Sequence, residues 1–406
     1  MENILAAQIN QKIIELNEYG SSESLLLDSY SFKILQDRFK VYLGMNYSDT
    51  YGEIIISAKQ YVGIIRIGDT IIKINPKIKL ESLFRLLNYC YEIPTQFKEK
   101  IDLSLSEEIF NYYIYIFAAL VKKLINRGIH KKYLWKEEKL IYLKGRVSII
   151  KNIRENISKP LLNFCSFEEF NENILENIII KQTLRKLIRI VTDNELLKLL
   201  RHDYLYLQDI EESQITSIKD FERISFNRLN ENYREPLNLA KFFYENLFIK
   251  DEIGKSSVSA FLIDMNKLFE NYLYKKLLEY FKDYPINIFY QKNFSFDDNR
   301  ILSINPDILF YKDNILKIIM DAKYKIIENN NISQADIYQM ISYCTKLGVK
   351  NCILVFPCFN QKDKISNEFS FFDGEILIKP IFIDLENLNP FSEMNLNIIK
   401  TSFDFN

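Results

Sequence analysis

The stretch INPDILFYKDNILKIIMDAKYK, residues 304–325, has few ways to fold. Two apolar runs flank the triplet Lys312-Asp313-Asn314, and Asp and Asn tolerate the left-handed backbone of a tight turn. The pattern is that of a β-hairpin. Asp307 then opens the first strand. Asp321 and Lys323, two residues apart on the second, point to one face. Antiparallel pairing about the turn is expected to bring Asp307 near Asp321. The run Ile318-Ile319-Met320 buries the strand, and charged groups at its end are costly unless they pair or coordinate.

Phosphodiester hydrolysis needs such a cluster. Mg2+, with Mn2+ as an alternative, takes oxygen ligands and is held by one or two carboxylates. The ion offsets charge on phosphoryl oxygens and lowers the pKa of an attacking water. A nearby lysine orients that water. The helical stretch 264–284 ahead of the hairpin carries Glu270, a third carboxylate. The helix after it reads DIYQMISYC, with Gln339 and Tyr343 at i, i+4 on one face. Asp307, Asp321, Lys323, Glu270, Gln339 and Tyr343 are the candidate catalytic residues. Asp307, Asp321 and Glu270 are the candidate metal ligands. The spacing is that of the PD-(D/E)xK nucleases, a subset of which carry such a Gln-x-x-x-Tyr pair. The bare pattern recurs by chance in a chain with 54 acidic residues, and Glu137-Glu138-Lys139 supplies a second match in polar surroundings.

The rest of the chain sorts by texture. With 406 residues, two or three domains are expected. Residues 1–80 are β-rich, with a hairpin about Gly68-Asp69 and a strand ended by Pro76. Residues 81–257 are mostly helical in period, notably over 107–127 and 172–200. Residues 258–406 alternate helix and strand, as an α/β domain does. The fold class expected is multidomain α+β.

Net charge is −1, so any grip on nucleic acid needs a local excess of positive charge. Between residues 121 and 160 twelve Lys and Arg face three Glu. Lys131, Lys132, Lys136, Arg146 and Arg154 are candidate contacts to DNA phosphates or to an acidic partner. The five cysteines form no CxxC pair, so buried thiols and a reducing cytoplasm are expected. His130 and His202 stand alone. Ile253-Gly254-Lys255-Ser256 imitates a P-loop, but Ile249 stands where its first glycine belongs, so no nucleotide is expected to bind this chain. Neither a secretory leader nor a membrane span is expected.

Several motifs together resemble the McrC family, the nuclease subunits of McrBC-type, GTP-dependent restriction systems. YVGIIRIGDTIIKINPKI (61–78) is similar to the family's N-terminal element, and LKGRVSIIKNIREN (143–156) to its central segment. FLIDMNKLFENYL (261–273) is similar to its "DMn.lFE" helix, followed by NPD, DAKYK and DIYQMISY. The resemblance implies metal-binding aspartates at 307 and 321 and a catalytic lysine at 323. It implies double-stranded DNA as substrate, and a separate McrB-like AAA+ GTPase hexamer as the partner that this chain stimulates through its N-terminal half. Two other readings stand beside it: a stand-alone nuclease for repair or mobile-element processing, and a non-catalytic AAA+ activator.

Overall fold

Ile-rich runs set the N-terminal strands, and polar turn residues set where they end. In this computed structural model the described residues are 12–94, 106–155, 162–211, 217–250, 258–325, 327, 332–358, 368–387 and 389–403. The P-loop-like residues 253–256 and Lys159 lie outside them. The chain divides into two compact units. The first comprises residues 1–92, 102–106 and 262–406, and the second 93–101 and 107–261. No helix among the described residues is long and apolar enough to cross a membrane.

The N-terminal part of the first unit runs β1 (Lys12–Asn17), α1 (Ser29–Arg38), β2 (Leu43–Tyr47), β3 (Ile54–Ala58), β4 (Tyr61–Ile67), β5 (Thr70–Asn75) and α2 (Leu80–Tyr91). β4 and β5 form the expected hairpin, and Gly68 supplies the left-handed turn residue at φ 54°. β5 stops at the residue before Pro76 and also pairs in parallel with β1. β2 and β3 make a second hairpin.

The second unit contains α3 (Ser106–Arg127), β6 (Lys132–Leu140), β7 (Arg146–Val147), α4 (Ile149–Glu155) and β8 (Asn163–Asn171). There follow α5 (Leu175–Ile188), α6 (Asn194–Tyr206), α7 (Lys219–Glu222), α8 (Arg234–Asn246) and β9 (Leu247–Lys250). The helical period read over 172–200 resolves into α5 and α6. They are split because Asp193 caps the second, its carboxylate accepting from Leu196 N at 2.9 Å. The region is also less helical than expected. β6, β8 and β7 form a three-stranded antiparallel sheet, with β6 and β8 paired over nine residues. β6 carries charge on both faces, so it lacks the apolar alternation by which strands are read. Gly145 precedes β7, and a Cβ there would stand 2.6 Å from Phe167 and from Ser166 O.

β10 (Val258–Asp264) leads into the C-terminal part of the first unit. There follow α9 (Met265–Tyr280), β11 (Asn287–Tyr290), β12 (Phe294–Ser295), β13 (Ser303–Ile304), β14 (Ile308–Lys312), β15 (Ile315–Ala322), α10 (Gln334–Leu347), β16 (Asn351–Cys358), β17 (Phe369–Phe371), β18 (Ile376–Asp384) and α11 (Glu393–Thr401). The sheet order is β11-β14-β15-β16-β18-β17. β15, β16 and β18 run parallel, and the others antiparallel to their neighbours. β16 is a nearly continuous apolar run because it is covered on both faces. One face packs on α10 through Leu309, Ile319, Leu354 and Met340. On the other, Phe310 meets Phe281 and Phe403. Cys344, near the end of α10, and Cys352, at the start of β16, are joined in a disulfide within this core, where buried thiols were expected. Helix and strand bring their Cα atoms to 6.9 Å, a proximity that their spacing in sequence does not announce.

Candidate active site

A two-residue turn and one extra residue place the acids. Asp313 and Asn314 adopt φ of 52° and 61°, closing β14 on β15. From the turn, Lys312 pairs with Ile315 and Tyr311 with Leu316. An unbroken ladder would set Asp307 opposite Met320, on the wrong face. A bulge at Lys317 shifts the register, so that Phe310 pairs with Ile318 and Ile308 with Met320. Asp307 then stands opposite Asp321, and paired residues project to the same face. The Asp307 carboxylate accepts from Ala322 N at 2.8 Å, which locks it across the strand end.

Asp321 is buried at 2% exposure. Its Oδ2 lies 2.6 Å from Lys323 Nζ, an ion-pair distance, yet no donor is aligned on that atom as a hydrogen bond. Lys323 Nζ donates to Gln339 Oε1 at 2.8 Å, and Gln339 Nε2 donates to Tyr343 OH at 2.6 Å. The i, i+4 pair on α10 thus works as one unit that holds the lysine. Ser333 caps α10 and also donates to Asp336 at 2.8 Å, and Asp336 pairs with Lys325. Glu270, on α9, accepts from Gln291 Nε2 at 2.8 Å and from Tyr290 OH at 3.4 Å.

Asp307, Asp321, Lys323, Glu270, Gln339 and Lys325 line one cavity of about 190 Å³, with Tyr19, Asn266, Asn305, Ala322 and Tyr324 completing its wall, while Tyr343 stands behind Gln339. A larger depression of about 380 Å³ in the second unit, where Arg234 pairs with Glu231 at 2.6 Å, gathers no comparable set. Burial and the charges of Asp321 and Glu270 push Asp307 up to about 8. Burial, with the Asp321 charge added, pushes Glu270 up to about 7, against the Gln291 hydrogen bond. Burial likewise raises Asp321, with Lys323 opposing. For Lys323 burial works against the charge, but Asp321 and its neighbours outweigh it and the pKa rises. The cavity is an acid-rich space whose carboxylates repel one another.

The donor chemistry fits a hard divalent cation. Asp307, Asp321 and Glu270 line one cavity, and buried Asp321 Oδ2 has Lys323 in contact but no aligned donor. Asp307 and Asp321 are the pair in place. Among the described residues no three acidic, His or Cys side chains already form a metal-holding group, and Glu270 is turned to Gln291. Tyr19, Asn266, Asn305 and Lys325 also line the cavity and were not singled out in the sequence. Asn266 in the "DMn.lFE" helix, Asn305 in NPD and Lys325 in DAKYK lay within the quoted motifs, and Tyr19 carried no local signal.

The basic stretch belongs to the second unit, and five of its lysines meet carboxylates. Lys131 pairs with Glu172, Lys132 with Glu176, Lys136 and Lys144 with Glu169, and Lys151 with Glu137. Arg146 and Arg154 have no recorded ion pair among the described residues. The same element exposes large apolar side chains: Tyr133, Trp135 and Phe170 on the sheet, Ile141, Tyr142 and Leu143 in the loop, and Ile149, Ile150 and Ile153 on α4.

A family model described as McrBC 5-methylcytosine restriction system component matches residues 56–357, more than half of the chain. No curated protein matches significantly. Among solved structures, the chain is similar to one from a half-complex of Thermococcus gammatolerans McrB AAA+ hexamers with bound McrC, at 21% identity and a TM-score of 0.59, covering 97% of this chain and 99% of that one. A second similar structure, from the Thermococcus gammatolerans McrBC complex, has 25% identity and a TM-score of 0.45, covering 66% of this chain and 87% of that one.

Proposed function

Because this chain belongs to the family of McrBC 5-methylcytosine restriction system components, we propose that it is the McrC-type subunit that cuts DNA in a GTP-driven restriction complex. One observation carries the reading. Asp307, Asp321 and Lys323 converge in a cavity where buried acids crowd one another and Asp321 Oδ2 lacks an aligned donor. Three carboxylates share this cavity with Lys323 as the cation in contact with Asp321, and crowding acids around one lysine is costly for a purely structural strand end.

The chain's own groups divide the work. Ala322 N–H fixes Asp307, and burial keeps Asp321 rigid. Lys323, held by Gln339 and Tyr343, orients the attacking water and offsets charge building on the phosphoryl oxygens. A divalent cation, Mg2+ or Mn2+, held by Asp307 and Asp321 would polarise the scissile phosphate and lower the pKa of water. Glu270, whose Oε2 accepts from Gln291 and Tyr290, would serve as a third ligand.

The partner in this reading is a McrB-like AAA+ GTPase hexamer, as in the similar complex of McrB hexamers with bound McrC. The exposed apolar side chains of the β6-β8-β7 element suit docking on a protein surface. This chain binds no nucleotide itself; GTP is the motor's. The test is cleavage of duplex DNA in Mg2+ by the chain with its motor. Asp321→Asn and Lys323→Ala are each expected to lose about 10²-fold or more. Near-full cleavage by both would reject the site. Robust cleavage without any nucleotide or motor would favour a stand-alone nuclease instead.

A further inference from the structure

The cavity wall includes a residue from the opposite end of the chain. Tyr19 follows β1, some 300 residues before Asp321, and its side chain lines the same cavity as Asp307, Asp321 and Lys323. Its backbone is left-handed, at φ 58°. That conformation is strained for a residue with a Cβ, and glycine, which adopts it without cost, is the very next residue. Core packing does not explain the choice, since Tyr19 is 46% exposed. Its hydroxyl reaches Asn266 Oδ1 only at 3.5 Å, a weak tether. Lys77 holds its ammonium 4.1 Å over the ring. The position is anchored from below: Glu18 is buried, accepts from Lys77 N at 3.4 Å and faces the Tyr324 hydroxyl, one residue after Lys323.

A flat aromatic face with a cation on it, at the rim of an acid-lined cavity, is suited to one kind of ligand. Nucleic-acid strands are gripped by stacking on aromatic rings and by cations on phosphates. We propose that Tyr19 and Lys77 form a DNA-strand contact of the nuclease site, supplied by the N-terminal β-rich segment. The Tyr19 ring lines the cavity, and Lys77, over that ring, offsets repulsion between the cavity's carboxylates and the incoming phosphates. The N-terminal segment is then part of the cutting surface, beyond any role in reaching the motor. This rests on the reading of the cavity as a DNA-cleaving site.

The experiment uses the intact chain with its AAA+ partner, Mg2+ and a linear duplex, and compares Tyr19→Gly and Lys77→Gln with the parent. Tyr19→Gly removes the ring at a position where glycine is at ease, so folding is spared. Each variant is expected to raise the half-saturating DNA concentration about tenfold, with the effect falling there rather than on the rate at saturation. Melting temperature and partner GTP turnover are expected to hold. Unchanged half-saturation in both variants, or losses that track a fall in melting temperature, would overturn the proposal. Fluorescence anisotropy of the duplex on the Asp321→Asn chain, with and without Tyr19→Gly, separates this idea from its premise. Weaker binding there supports the contact even if the parent proves unable to cut, and equal binding refutes the contact even if the parent cuts well.

Discussion

The cavity of the first unit and the three-stranded element of the second use Lys and acidic residues in opposite ways. On the β6-β8-β7 element five lysines lie at ion-pair distance from glutamates, in contact with water. Those five charges are matched, Arg146 and Arg154 stay exposed with no recorded ion pair among the described residues, and large apolar side chains are exposed beside them. In the cavity Asp307, Asp321 and Glu270 share a space with too few cations, and burial drives their proton affinities up. Balanced, wet charge makes a surface. Crowded, half-buried carboxylates around one lysine make a site with affinity for a cation. The density of positive residues along the sequence therefore does not report the density of unpaired positive charge in the fold.

This contrast can be broken in four places. The largest effect is expected from removing residues 1–80. Segments 1–92 and 262–406 form one compact unit, with Met265 N donating to Gln60 O at 3.0 Å and Glu18 buried beneath Tyr19. A chain starting after residue 80 should lose the cooperative melting of its C-terminal segment, read by calorimetry. An unaltered transition would make the cavity a property of the C-terminal segment alone. Next comes Gln339→Ala, which frees the Lys323 ammonium and strands Tyr343. Cleavage is expected to fall about tenfold or more, as for groups that orient catalytic ones, and Gln339→Glu should restore part of it.

The third effect is on stability against pH. Asp307 and Glu270 sit near 8 and 7 in the folded chain, above the ordinary carboxyl range near 4. The folded state binds these protons more tightly than the unfolded state. Their stabilising contribution is therefore complete below about pH 4 and is lost as pH rises towards 8. Melting temperature in chelator is expected to fall across that interval, and added Mg2+ to recover it most at the alkaline end. A flat profile in chelator would contradict the buried-acid description. The smallest effect is expected on the other side of the comparison. Neutralising Lys131, Lys132 and Lys136 together should change the salt dependence of DNA binding by less than about 0.9 log units, the worth of one phosphate contact, because their charges are already matched. A larger change would return the basic stretch to the DNA interface.

The sequence was legible where structure is local. The hairpin, the shared face of Asp321 and Lys323, and the Gln339–Tyr343 pair follow from periods of 2 and 3.6 residues within one stretch. The facing of Asp307 on Asp321 was read correctly, but it depends on the bulge at Lys317, which no residue announces. Tyr19 was out of reach, because its place in the cavity is made by tertiary packing across the length of the chain. The Cys344–Cys352 disulfide was missed because the pair has no motif spacing and forms only when α10 turns back into β16. The pairing of five of the lysines over residues 121–160 was not legible, because most of their acids, Glu169, Glu172 and Glu176, lie just past that window and come to it with the pairing of β6 and β8.

The most direct test sets the two regions side by side in one assay, with GTP turnover by the AAA+ partner measured beside cleavage of a DNA carrying two target sites. The Asp321→Asn chain should raise GTP turnover as the parent does and cut nothing. A chain with Tyr133→Ser and Trp135→Ser should lose the stimulation of turnover, and cleavage with it, while its melting temperature still rises with Mg2+. Cleavage by Asp321→Asn at the parent's rate, or full stimulation of turnover by the Tyr133→Ser, Trp135→Ser chain, would contradict the division of labour between the buried acids of one unit and the exposed aromatic surface of the other.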